Sequence, residues 1–361
     1  MPVTRRSAAL LGAAALAVTA FLPVTTASAT TPTGTPQLGT AGTGATLLPD
    51  AAAAGWLSRQ FVNGDHLETS FGGVGYPDQG LTIDAVLAFA ASHSADQTAA
   101  KATAWLAQPA NLSGYLGDGV TESYAGATAK LLLAAEVRGT DPTSFGGVDL
   151  PTRLRALLTP SGRFSDHSQY GDYSNTFGQS LALIALDRTP GGAPASAADF
   201  LAGSACADGG FPAAFGQPTC TSDPDATAMA VQALAATGRP AAASAGLDWL
   251  TAHQGTDGSF ATGTATAGNA NSTGLAGEAL LSQGRLLPGL KAWSALYKLQ
   301  VGCSGAAGTQ GAIAYDSTGF NAANAVRATT QAVLGLSGVA LVDLSAQGAN
   351  PAAPTLACPS N

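Results

Sequence analysis

Acidic side chains are scarce in the apolar stretches of this chain, so each one is informative. Asp223 and Asp225 flank Pro224 just before an Ala-rich run, and Ser123, Asn271 and Asn324 stand in the corresponding slot before three other runs. All are types that cap helices, because a short side-chain oxygen accepts from the unpaired N–H groups of a first turn. Asp adds a charge suited to the helix N-terminus, and Pro fits the first turn. Capping is one role for these residues, ligand contact another. Seven residues further on, the same runs carry Lys130, Gln232, Glu278 and Gln331. Two helical turns place each on the face of its cap residue. Polar groups there either line a wet central cavity or hydrogen-bond between helices. Glu278 is the one acid of that set, suited to ligand contact or to a carboxyl with a raised pKa. Tyr76, Tyr170, Tyr173, Phe215, Tyr315 and Phe320 all fall in Gly-rich connections. There they either wall a mouth or cover the ends of hairpins.

Metal chemistry has no foothold in the pattern. Four cysteines stand at 206, 220, 303 and 358, none at the two-to-four-residue spacing of a zinc site, and the four histidines are scattered. An even count in an exported chain points to disulfides. Cys206 and Cys220 bracket a 13-residue loop from Ala207 to Thr219. Closing a loop of that size stabilises by about 3 kcal/mol in the chain-entropy account. The remaining pair, Cys303 and Cys358, would tie the C-terminal tail back to the body.

The expectation of export comes from residues 1–29. Arg5 and Arg6 form a charged start, Ala8 to Leu22 an apolar stretch, and Ala27-Ser28-Ala29 a cleavage site. The paired arginines also fit the twin-arginine route. Removing the leader takes the net charge from −8 to −10, because only Arg5 and Arg6 leave. Residues 30–48 read as a flexible Thr/Gly/Pro-rich linker. No later run of about 18 apolar residues could span a membrane. The chain is therefore expected to be extracellular and monomeric. Fifteen basic against 23 acidic residues supply no footprint for nucleic acid. With 46% apolar and only 11% charged residues, disorder is excluded as well.

What must position these side chains is a repeat of about 48 residues. An aromatic-Leu pair recurs at Trp56-Leu57, Trp105-Leu106, Phe200-Leu201 and Trp249-Leu250, with weaker equivalents at Arg153-Leu154 and Ala295-Leu296. A Gly-rich turn ending in an aromatic follows, at Phe71, Tyr115, Phe164, Phe211 and Phe260. Then comes a second helix: Ile83–Ala91, Ala125–Val137, Thr176–Asp187, Ala226–Thr237, Thr273–Gln283 and Ala325–Leu336. Ala and Leu favour helix, and Gly or Pro punctuates both ends. The second helices carry little charge on any face and must be buried all round, whereas the first are amphipathic. Six buried helices inside six amphipathic ones make an all-α α6/α6 toroid over residues 49–340, with a tail at 341–361. The alternative is an open solenoid; closure is expected because neither end shows a charged capping repeat.

The fifth repeat, Trp249-Leu250 followed by Gln254, Gly258 and Phe260, resembles the QW repeat of the terpene cyclase/prenyltransferase toroid superfamily, with Phe for the final Trp. The sixth keeps Lys291-Ala292, Leu296 and Gln300. In this motif Gln satisfies carbonyls at the end of the outer helix and in the next turn, and the aromatic plugs the space between hairpins. Thr221 to Ala228 is similar to the D-x-D-D-T-A motif of class II terpene cyclases. That resemblance makes Asp223 the first acid and Asp225 the proton donor, with Ala226 standing where the motif has its last Asp. Such cyclases are expected to need a second helical domain. The prenyltransferase reading requires a zinc set with D-x-C, which is absent. A carbohydrate-active toroid would need two inner carboxylates about 5–10 Å apart, with Asp172, Asp225 and Glu278 available.

The exported single ring also resembles the α-domain of the intrinsic factor and transcobalamin group, through Asp225, Thr227, Ala228 and the disulfides. That resemblance implies cobalamin as a ligand, although nothing strand-like is expected after Leu344 to supply the lid of that group. Taken together, the expectation is a secreted, non-catalytic ring without cofactor or metal. It would bind a small molecule or surface polymer through Tyr170, Tyr173, Phe215, Asp225, Asn271 and Asn324. The alternative is a divergent toroid enzyme using Asp223, Asp225 or Glu278.

Overall fold

A computed structural model describes residues 44–359. The leader at 1–29 and all of the linker before residue 44 lie outside the described residues. Thirteen helices carry the fold among them: α1 (Pro49–Ser58), α2 (Gln79–Ala91), α3 (Asp96–Leu106), α4 (Pro109–Leu116), α5 (Ala125–Arg138), α6 (Leu150–Arg155), α7 (Thr176–Asp187), α8 (Ala195–Gly203), α9 (Pro224–Ala236), α10 (Pro240–His253), α11 (Ala270–Ser282), α12 (Leu286–Leu299) and α13 (Ala322–Ser337). The inner helices α2, α5, α7, α9, α11 and α13 pack each on the next, and α13 packs back on α2. The ring is closed, as the uncapped ends implied.

Small side chains make the ring possible. Ala52, Ala53 and Ala54 on α1 are fully buried, and inner helices meet backbone to backbone at Gly126 and Gly178. A Cβ on Gly274 would lie 2.3 Å from the Gln331 carbonyl oxygen of α13, so no other residue fits between these helices. The seam between last and first repeats uses the repeat's own motif. Gln300 Nε2 donates to the carbonyls of Pro49 on α1 (2.7 Å) and Gly311 (3.2 Å). One repeat earlier, Gln254 Nε2 does the same for Gly258 and Pro288, at 2.9 Å each. The Gln therefore links its own turn to the first turn of the next outer helix.

The plugs differ in part from expectation. Phe164, Phe211 and Phe260 are fully buried, but Phe71 is 67% exposed on a hairpin of β2 (Glu68–Phe71) and β3 (Val74–Pro77), while Tyr115 lies within α4. Leu67 takes the place of Phe71 and Leu116 that of Tyr115, each carbonyl accepting from the cap residue's N–H, and Ile313 serves the sixth repeat. The criterion is a hydrogen bond, not an aromatic ring: the backbone N–H of Leu67, Phe211, Phe260 and Ile313 donates to Thr82, Thr227, Thr273 and Thr329 Oγ1, at 2.9–3.0 Å. Phe164 N–H uses Gln179 Oε1 at 2.9 Å.

After α13 the tail crosses the C-terminal ends of the inner helices in turn. Leu341 N–H donates to Gln232 Oε1 of α9 (2.9 Å), and Arg188 at the end of α7 donates to the carbonyls of Val342 and Leu344. Ala346 N–H reaches Val137 O of α5 (2.9 Å) and Asn350 N–H reaches His93 O beyond α2 (2.9 Å). The tail ends as a two-residue strand, β4 (Thr355–Leu356), parallel to β1 (Ala45–Thr46). Residues 44–48 are thus held by the tail, where the composition read as linker; strand pairing with a segment 310 residues away in sequence leaves no local signal. The absence of any strand after Leu344 is likewise corrected, although no β-domain follows among the described residues. Both disulfides form as expected, Cys206–Cys220 and Cys303–Cys358.

Candidate functional site

The five caps Asp78, Tyr124, Asn175, Asp223 and Asn269 start α2, α5, α7, α9 and α11, and each has Thr or Gln four residues on. The plug hydrogen bonds to that fourth residue in α2, α7, α9 and α11, and the Tyr124 N–H bond to Leu116 O at α5, set a common register, and Thr329 extends it to α13, which begins a turn earlier. Position two after the cap is then Gly80, Gly126, Phe177, Asp225, Asn271 and Arg327. Position six is Asp84, Lys130, Leu181, Met229, Leu275 and Gln331. Position nine holds Gln232 and Glu278 among aliphatic residues. These spacings of four and three form one helical stripe, and it is the stripe facing the ring interior.

This register corrects two equivalences read from the pattern. Asn324 stands three residues before the true counterpart of Asp225, which is Arg327, and Ser123 stands three before Gly126. Lys130 and Gln331 share one level, while Gln232 and Glu278 lie deeper. A slip of three residues stays on the same helix face, so periodicity could not reveal it; only the cross-repeat hydrogen bonds could. Arg327 and Asp84 were missed for this reason. The findable signal was their placement two residues before Thr329 and two after Thr82.

Asp223 is committed to capping, its Oδ1 accepting from Ala226 N–H at 2.9 Å. Asp225 is free of that duty. Burial pushes its carboxyl up to about 6, opposed by hydrogen bonding to Ser272 on α11 and assisted by the nearby Asp223 charge. Its Oδ1 is buried without a partner. Ser272 is itself oriented by Asn269, whose side chain accepts from Ser272 N–H (2.9 Å) and donates to Ser272 Oγ (3.1 Å). Around the same wall Asn271 Oδ1, Asn324 Oδ1 and Gln331 Oε1 are also buried and unpaired. Glu278 is 0% exposed with both oxygens unpaired; burial drives it up to about 8, and Gln232 draws it down. The tail supplies a lid below, through the Leu341 bond to Gln232.

The rest of the ring carries paired cations, from Arg327 on α13, between Asn324 and Gln331, round to Lys130 on α5. Lys130 Nζ lies 2.6 Å from Asp84 Oδ1 and donates to Gly80 O at 3.0 Å. Arg327 approaches Asp78 at 3.5 Å. A cavity of about 250 Å³ opens beside Lys130, walled by Tyr124, Tyr173 and Asn175.

The expected rim aromatics are dispersed. Tyr170 and Tyr173 are 70% and 73% exposed in the loop before α7. Phe215 packs edge-on against Phe200 at 5.0 Å, under the Arg163 guanidinium at 5.3 Å. Tyr76 pairs with Phe71, and Phe320 lies edge-on to Trp56. The Tyr315 carbonyl accepts from Ala270 N–H at 2.7 Å. Asp172 is no inner acid: it holds its own loop, accepting from Asp166 N–H and Ser174 N–H and pairing with Arg163 at 3.1 Å. Burial raises its carboxyl, but those contacts outweigh burial and hold it below the usual range. Among the described residues no cluster of three His, Cys, Asp or Glu could hold a metal.

No protein-family model matches the chain, and no characterised protein matches it by sequence. Solved structures do. A type II terpene cyclase from Scytonema, MstE, is 15% identical over 80% of this chain and 96% of its own, with a TM-score of 0.60. An unsaturated glucuronyl hydrolase specific for heparin is 13% identical over 82% of this chain and 98% of its own, TM-score 0.58. A protein from Actinoplanes is 16% identical over 80% and 98%, TM-score 0.57. The cyclase chain is covered almost whole by one ring, which overturns the expectation that such an enzyme needs a second helical domain. At these identities the likeness shows architecture: the chain has an α/α-toroid fold.

Proposed function

We propose that the ring interior is a reaction chamber in which Asp225 donates a proton to a polar substrate. The observation that carries this reading is a largely buried carboxyl at the ring mouth. Burial raises it to about 6 and one of its oxygens is unpaired. Its position matches the proton donor of the D-x-D-D-T-A resemblance. An acid of that pKa is substantially protonated in mildly acidic medium, as general acid catalysis requires. The proton passes from Asp225 to an electron-rich carbon or oxygen of the substrate, leaving a carboxylate beside Ser272. The positive charge created on the substrate faces the unpaired oxygens of Asn271, Asn324 and Gln331, which stabilise it.

Both architectural neighbours named for an activity are enzymes, a terpene cyclase and a glucuronyl hydrolase. The wall of unpaired oxygens favours a substrate rich in hydroxyl donors over a hydrocarbon, because an apolar occupant would leave those groups unsatisfied. The two disulfides support the exported reading of the Arg5/Arg6 leader. The test is Asp225→Asn assayed on isoprenoid and unsaturated-sugar panels. Turnover is expected to fall by about 10²–10⁴-fold with an unchanged melting temperature. Wild-type rates should decline as pH rises through about 6, where Asp225 loses its proton. If ligand is retained but neither protein turns it over, the chamber is a binding site and the enzyme reading is wrong.

A further inference from the structure

A further concavity among the described residues lies outside the ring interior. It is a groove of about 1260 Å³ between the disulfide-stapled loop that ends at Cys220 and the loop after α10. It runs from the C-terminal ends of α10 and α12 inward to Asp223 and Pro224 at the start of α9. Asp225 stands next in the first turn of that helix, so the groove ends beside the candidate acid without being lined by it. Its walls are hydroxyl-bearing and small: Thr219, Thr221, Thr256, Ser259, Thr264 and Thr266. Its charged lining residues are Asp223, Asp257 and Lys298, the last two attracting one another. At the outer end His253 is stacked on Trp249, with ring centroids 4.0 Å apart. His253 Nδ1 donates to Trp249 O (2.8 Å), and the Trp249 indole N–H donates to Asp208 (2.9 Å). The exposed imidazole is thus a fixed, flat platform.

We infer that this groove binds the body of a neutral oligosaccharide whose terminal unit enters the ring. The inference deepens the acid-catalysis reading and rests on it for the role of the terminal unit. Neutral sugar chains combine hydroxyl donors and acceptors with apolar ring faces, which suits threonine walls and a stacked aromatic platform. A polyanion finds one partnered lysine there, and a peptide finds no strand among the described residues of the groove to extend. The floor of the ring is sealed where the tail crosses α9, α7, α5 and α2. The chamber is therefore blind, and a chain enters it by an end.

The test is calorimetric titration of the mature protein with malto-, cello- and chito-oligosaccharides of two and six units. In at least one series the hexamer is expected to bind at least tenfold tighter than the dimer. His253→Ala, and Thr264→Tyr in the exposed loop, should each remove most of that gain while leaving the melting temperature unchanged. Absence of binding in all three series, a gain indifferent to chain length, a gain surviving both variants, or displacement of the hexamer by an Ala/Ser peptide would overturn the assignment. Asp225→Asn keeps the length-dependent binding. Chain binding without turnover would sink the acid reading alone, whereas turnover of short substrates without length dependence would sink the groove alone.

Discussion

Two carboxyls on neighbouring inner helices hold protons for the same reason and differ in what that allows. Asp225 sits at the mouth, half-buried, so the proton it holds up to a pH of about 6 can leave toward a ligand. Glu278 is sealed beneath the tail at a pKa near 8, with no partner for either oxygen. Its linkage to folding has a definite sign. The unfolded chain loses this proton near 4.5 and the folded chain near 8, so between those values the folded state binds more protons. Stability therefore falls as pH rises from 4.5 to 8 and levels off above. Glu278→Gln should be more stable than the parent at pH 9, on the order of a few kcal/mol, and little changed at pH 4.5. Urea unfolding across that range reads the difference, and parallel curves for the two proteins would refute it. Both acids were identifiable beforehand, because charge is rare in these helices. Which was capped, which was exposed and which was sealed depended on neighbours distant in sequence.

Four of the hairpins are built from three small devices: a cap, a turn glycine, and a Thr that receives the plug's N–H. The glycine is required where the turn after α10 lies on α12. Gly258 has φ +92°, and a Cβ there would be 2.3 Å from Lys291 O. The Thr is required because the plug's N–H is buried away from water. Thr227→Val preserves the shape of a fully buried side chain but removes the acceptor for Phe211. It is expected to cost about 1–3 kcal/mol, measured by chemical denaturation; a neutral result would mean that the plugs hold by packing alone. The helices were legible because Ala and Leu runs end at Gly or Pro. The plugs were only partly legible, since aromatic rings attract attention while the recurring contact is made by backbone.

Across the whole molecule, closure is achieved twice. The ring closes through Gln300 and the Gly311 turn on α1, and its floor closes through the tail. The end of the tail is anchored by Cys303–Cys358, 55 residues apart, and by β4 on β1. Constraining a loop of that length is worth about 4 kcal/mol in the chain-entropy account. In Cys303→Ser/Cys358→Ser, amide exchange should rise across Leu341–Leu356 while the centres of α9 and α11 stay protected. Protection unchanged in the tail would show that its hydrogen bonds alone hold the floor.

A repeat of Ala-rich helices, its turn glycines and its paired cysteines are local properties of the chain. Helix propensity, capping and loop closure depend on residues near one another, so the α6/α6 toroid, both disulfides and the acidic candidates could be read directly. The level at which Arg327 joins Asp225, the sealing of Glu278, the pairing of Ala45 with Thr355 and the groove leading to α9 could not. Each arises from contacts between segments far apart in sequence, and a shift of three residues along a helix leaves the hydrophobic pattern intact while changing which side chains meet.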